Sequence, residues 1–81
     1  MATKEQVDGA WDRAATVRGQ DPNVWRRDEM GNIIRYGSYG TTGEYGWEID
    51  HRNPVANGGT DHGRNLRVLH WQSNRRKSDN Y

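Results

Sequence analysis

Asp50 and His51 stand side by side at the end of a short apolar run, "WEIDH", and Asn65, His70 and Asn74 follow further along the chain. A carboxylate at the end of a strand and an amide on a following helix can aim oxygens at one point if that helix packs across the strand. Two protein oxygens with open positions suit a hard cation such as Mg²⁺, which keeps several waters and completes its shell with substrate phosphate oxygens. His51 suits a different task. Its unperturbed pKa of about 6.5 lets a neutral imidazole take a proton from water near neutrality. Geometry raises an objection, because successive side chains of a regular strand point to opposite faces. The pair can flank one phosphate only if the backbone departs from strand geometry at His51, and Pro54 shortly after makes room for that. His70, ending a second apolar run, could be a further ligand or could pack against Trp71.

Elements of three kinds must position these groups. The segment "TKEQVDGAWDRAATVRG" reads as a helix over residues 3–19. Thr3 caps it with Gln6 in the capping-box position, Val7, Ala10, Trp11, Ala14 and Ala15 form one apolar face, and Gly19 ends it. "VWRR" and "IIRYG", separated by the turn-like "EMGN", predict an antiparallel hairpin, and the glycine-rich residues 37–46 a loop. "WEID" has the period of a half-buried strand with Trp47 and Ile49 inward, and "LRVLH" at residues 66–70 can pair with it. The fifteen residues between, 51–65, are too long for a tight turn. "HWQSNRRKSDN", residues 70–80, predicts a polar helix of about two turns that is marginal unless docked on the hairpin. Trp11, Trp25 and Trp47 are expected in the core rather than as base-stacking platforms, Trp71 as either, and His62 on the surface. Gly58 and Gly59 are expected to permit loop conformations closed to other residues.

The chain has 81 residues, 31% of them hydrophobic, with four Trp, four Tyr, no Phe and no Cys. One domain with a small aromatic core is expected, held without disulfides or thiolate zinc. No stretch has the length or apolarity of a membrane span or of a signal sequence's core, so a soluble intracellular protein is the expectation. The net charge of +1 hides an asymmetry. Residues 1–50 hold six Lys and Arg against nine Asp and Glu, a balance of −3, whereas residues 51–81 hold six against two, a balance of +4. Basic residues clustered in this way suit a polyanion, since they neutralise phosphates and release counterions. A solvated basic face is the plainer alternative.

The stretch "IDHRNPVANGGTDHGRNLRVLHWQSNRRKSD" resembles the HNH endonuclease motif, with its Asp-His pair, Pro three residues on, "NGG" loop, "NL" opening the second strand and "N-x-x-K" in the final helix. The likeness covers residues 47–79, and "WRRDEMGNIIRYGSYGTTGEYGWEIDH" upstream is similar to small standalone members. The resemblance implies an α+β chain with a ββα-metal fold: residues 1–46 contribute an N-terminal helix and an extra hairpin, and residues 47–81 the core that clamps one divalent ion. By position, Asp50 and Asn74 would be metal ligands and His51 the general base. Asn65 would hold the loop and orient His51 through a backbone hydrogen bond, and His70 would be at most an accessory. Many members have His where this chain has Asn74, a variant also seen in the HNH domains of CRISPR effector nucleases. An Asp/Asn oxygen pair favours Mg²⁺ or Mn²⁺ over Zn²⁺. Arg52, Arg64, Arg67, Arg75, Arg76 and Lys77 are the expected phosphate contacts, which would position DNA without reading its sequence.

The resemblance therefore implies a metal-dependent DNA endonuclease acting on duplex DNA, with one active site per monomer and hence strand nicking. The expected setting is the cytoplasm, with a bacterial or phage origin, and any sequence specificity would come from a protein partner or a dimer. Two alternatives belong to other classes. A non-catalytic nucleic-acid-binding module that kept the fold would be indifferent to loss of His51. A structural ion site in a small interaction protein would have negligible DNA affinity. The intact Asp-His-Asn-Asn set favours the enzyme.

Overall fold

Thr3 begins the first helix. In the computed structural model, which describes residues 2–78, its Oγ1 accepts from the Gln6 amide at 3.2 Å and the Gln6 side chain accepts from the Thr3 amide at 2.8 Å. Helix α1 (Lys4–Arg13) buries Val7, Ala10 and Trp11. At its start Lys4 and Tyr36 both donate to the Asp8 carboxylate at 2.6 Å, which holds that carboxyl below its usual range.

The helix stops at Arg13 rather than reaching Gly19. Arg26 explains the difference: its Nη1 donates to the carbonyls of Trp11, Asp12 and Ala14 at 3.0–3.2 Å, satisfying groups that another helical turn would otherwise have occupied. Released from the helix, Ala15–Thr16 forms a short edge strand, β1, paired antiparallel with Arg26 and Arg27. The β-branched Thr16 suits that state better than a helical one.

Strands β2 (Trp25–Arg27) and β3 (Ile33–Arg35) form the expected hairpin, in register Trp25↔Arg35 and Arg27↔Ile33, and β1 makes it three-stranded. Asp28 organises its turn. The carboxylate is 5% exposed. Oδ1 accepts from the amides of Met30 and Asn32 at 3.0 and 2.7 Å, while Oδ2 accepts from the Asn32 side chain at 3.1 Å and from the His70 amide at 2.8 Å. Asn32 also donates to Ser73 Oγ at 3.1 Å, so the hairpin turn is tied to the far end of the chain.

Residues 36–46 form a loop with one 3₁₀ turn at Tyr36–Ser38. Strands β4 (Trp47–His51) and β5 (Leu66–His70) then pair antiparallel along their whole length, from Trp47↔His70 to His51↔Leu66, and α2 (Trp71–Ser78) follows directly. The sequence-predicted continuation of that helix to Asn80 lies, beyond Ser78, outside the described residues. Cross-strand partners share a face, so the register sorts the hairpin. Trp47, Ile49, His51, Leu66, Val68 and His70 lie on one side; Glu48, Asp50, Arg67 and Leu69 lie on the other. The first side meets α1 in a core of Val7, Ala10, Trp11, Ile34, Trp47 and Val68. Trp47 is fully buried, its ring 5.2 Å from that of Trp11. Helix α2 covers the second side, where it supplies Asn74 and Lys77 to Glu48 and Asp50. Trp25 lies outside the core and instead packs edge-on against Tyr45, with ring centroids 5.0 Å apart. No helix among the described residues is long and apolar enough to cross a membrane.

Candidate metal and catalytic site

The outer edge of β4 is where the two faces of the hairpin meet. Among the described residues β5 is the one strand paired with β4, a single bridge from Tyr39 meets its other edge at Trp47, and a cavity of about 340 Å³ along the rest of that edge is bordered by Asp50, His51 and Asn74 together with Ile49, Pro54, Val55 and Lys77. His51 and Asn74 also border an adjoining cavity of about 510 Å³, with Glu48, Asp61 and Tyr39 among its walls. The strand keeps its regular pairing through His51 and bends only from Arg52. The expected distortion at His51 is therefore unnecessary. Asp50 and His51 point to opposite faces, yet a cavity that runs along a strand edge is bordered from both.

Asp50 is buried, 9% exposed, and its charge is balanced locally. Lys77 Nζ donates to both carboxylate oxygens at 2.9 Å and to the His51 carbonyl at 3.0 Å, and Arg67 Nε donates to Oδ2 at 2.8 Å. Burying a carboxylate this far from water is costly unless such partners accompany it. Asn74 Nδ2 donates to Glu48 Oε1 at 3.0 Å, and the other Glu48 oxygen faces Arg75 at 3.5 Å. His51, with its side chain 31% exposed, places Nε2 2.7 Å from Asp61 Oδ1.

A hard divalent cation fits this donor set. Asp50 and Asn74 border one cavity and carry the oxygen donors a hard cation prefers, and a cation bound there would share or take over the Asp50 oxygens that Lys77 and Arg67 now hold. Among the described residues no three His, Asp or Glu side chains are grouped to hold a metal ion. An ion held by Asp50 and Asn74 must then complete its shell from water or substrate, as Mg²⁺ commonly does.

The loop after β4 is closed by Asn65. Its Oδ1 accepts from the Asn53 amide at 2.8 Å, and its Nδ2 donates to the carbonyls of Asn53 and Thr60 at 3.1 and 2.6 Å. Its own carbonyl accepts from Arg52 N at 2.8 Å. These bonds fall one and two residues past His51, not on the His51 backbone as expected. Gly59 makes the closure possible: a Cβ there would sit 1.7 Å from the Asn53 oxygen. Gly58 has φ +87°, a backbone that favours glycine.

Two expectations need correction. His70 is not available as an accessory ligand. Its Nε2 lies 2.8 Å from the Glu44 carbonyl, which can only accept, so Nε2 carries the hydrogen and Nδ1 accepts from the Gln72 amide at 3.2 Å. Both nitrogens are used, and the ring caps α2. Arg67 is not a surface phosphate contact either, since its side chain is 15% exposed and engaged with Asp50 and Glu29. Of the other expected contacts, Arg52 pairs with Glu29, Lys77 with Asp50, and Arg75 lies between Glu48 and the Trp71 ring, 5.3 Å from its centroid. Arg64 and Arg76 are exposed and make no side-chain bond among the described residues. Glu48 and Asp61 were missed. Glu48 was within reach of the sequence pattern, because it lies two residues before Asp50 and so shares its face. Asp61, in an aperiodic loop, carried no such signal.

An antiparallel hairpin with a long connecting loop, followed at once by a helix laid across it, defines the ββα-metal class of α+β folds. The profile described as HNH endonuclease matches residues 38–80, just over half of the chain, and the protein belongs to the HNH endonuclease family. No curated protein and no solved structure matches the chain.

Proposed function

We propose that this protein is a divalent-metal-dependent DNA endonuclease that nicks one strand of a duplex and leaves 5′-phosphate and 3′-hydroxyl ends. One observation carries the reading: in a chain of the HNH family, Asn74 of the last helix borders one cavity with the adjacent Asp50 and His51 of β4. Asp50 and Asn74 would hold the ion. When bound, Mg²⁺ or Mn²⁺ would supply charge stabilisation at the scissile phosphate. His51 takes the proton of the attacking water, phosphorus gains that oxygen in line, and the bond to the 3′ oxygen breaks, with that oxygen taking a proton from solvent to become the 3′-hydroxyl. Asn65 keeps the loop beside His51 closed, Arg67 and Lys77 hold the Asp50 carboxylate in place, and Arg64 and Arg76 contact flanking phosphates. One base and one proposed ion site among the described residues support cutting one strand per encounter.

The test is a supercoiled plasmid incubated with a panel of divalent ions. Open circle should accumulate with Mg²⁺ or Mn²⁺ and not with EDTA, and His51→Ala should slow it by about 10² or more while metal binding measured by calorimetry persists. A His51→Ala protein as active as the parent would sink the reading in favour of a non-catalytic nucleic-acid module.

A further inference from the structure

We infer that Asp61 is a positioning residue for His51, fixing the imidazole in the tautomer that carries its hydrogen on Nε2 and leaves Nδ1 as the proton acceptor. The inference rests on the nuclease reading for its catalytic meaning, though not for its chemistry. His51 Nε2 lies 2.7 Å from Asp61 Oδ1. An ionised carboxylate can only accept, so the neutral ring must donate through Nε2. Its other nitrogen, Nδ1, makes no hydrogen bond among the described residues. A ring free to exchange tautomers would present the wrong nitrogen part of the time, and one held by a carboxylate does not.

Asp61 is 73% exposed at the side chain, so its own surroundings do not hold it. Its two neighbours are held instead. The Thr60 carbonyl accepts from Asn65 Nδ2 at 2.6 Å, the His62 carbonyl accepts from Asn65 N at 2.8 Å, and the His62 amide donates to Thr60 Oγ1 at 3.3 Å. Asn65 thus grips the chain on both sides of Asp61 as well as at Asn53, just beyond His51. This gives the middle Asn of the motif a route to the base: through Thr60 to Asp61, and from Asp61 to the ring. Exposed pairs of this kind contribute little to stability, so the contact has scant structural reason to exist.

Two variants of the full chain, Asp61→Ala and Asp61→Asn, separate the roles, since the amide of the second keeps an acceptor oxygen for Nε2. The first readout is the imidazole nitrogen NMR shifts of His51 without DNA, recorded where the ring is neutral. The parent and Asp61→Asn should show the Nε2–H form, and Asp61→Ala a mixture. The second is single-turnover plasmid nicking with Mn²⁺. Asp61→Ala should lose about tenfold to a hundredfold in rate, part of what a general base contributes, with DNA affinity within about twofold of the parent, and Asp61→Asn should recover most of the rate. A parent ring protonated on Nδ1, an Asp61→Ala protein unchanged in tautomer or in rate, or an Asp61→Asn protein as slow as Asp61→Ala would each overturn the inference. If the parent itself fails to nick, the nuclease reading is what has failed, and the imidazole spectra still decide whether Asp61 sets the tautomer.

Discussion

Asp28 combines the burial of a core residue with the chemistry of a surface one. Its carboxylate accepts from four N–H groups, three of them backbone amides. Asp28→Ala would leave those donors unmatched in a largely buried place, and a loss of about 3 kcal/mol is expected in urea denaturation. For a domain this small that is a large share of the total stability. A loss below about 1 kcal/mol would mean that water replaces the carboxylate without difficulty. What the sequence reveals at this scale follows the separation between partners. Thr3 and Gln6 cap each other across three residues, and their types and spacing are enough to see it. The turn that follows Asp28 is legible from "EMGN" in the same local way. Its bond to the His70 amide, 42 residues on, is not, because nothing in the types of two distant residues records that they meet. The ten-residue link from His51 to Asp61 failed to register for the same reason.

Elements were legible where periodicity alone decides them and misread where another element intervenes. Strands β4 and β5 alternate cleanly and pair as expected, and α2 begins where its polar run begins. The end of α1 is different. Ala14 and Ala15 continue the apolar period, and no local residue forbids another turn. The stop comes from β2, whose Arg26 donates to three carbonyls at the helix end and lies over the Trp11 ring, 5.6 Å from its centroid. Arg26→Ala should therefore lower stability by about 1–3 kcal/mol, with far-ultraviolet circular dichroism at low temperature little changed. Arg26→Lys should rescue poorly, since a lysine ammonium cannot reproduce the spread of donors that also reaches the Pro22 carbonyl through Nε at 2.8 Å. Full stability in the lysine variant would reduce the interaction to simple charge.

Across the whole molecule, folding changes what the charge distribution means. The sequence places all six Lys and Arg of residues 51–81 downstream of Asp50 and suggests a basic surface. The fold returns carboxylates from the acidic half to four of them: Glu29 to Arg52 and Arg67, Glu48 to Arg75, and Asp50 to Arg67 and Lys77. Arg64 and Arg76 are left for phosphates. DNA affinity measured against salt should then give a log–log slope of about −2, where six contacts would give about −5. Removing Arg64 or Arg76 should flatten it by about one each. A slope near −5 would mean that the ion pairs open on DNA.

The tie from Asp28 to the junction of β5 and α2 bears on what counts as the working unit. The family profile begins at residue 38, after Trp11, which packs against Trp47, after Asp28, which holds the His70 amide, and after Ile34, which is fully buried. A segment cut at the profile boundary and grafted into a foreign host would carry every letter of the motif while losing the scaffold that brings those letters into one place. Recombination could transplant the recognisable half of this gene intact and still deliver no nuclease.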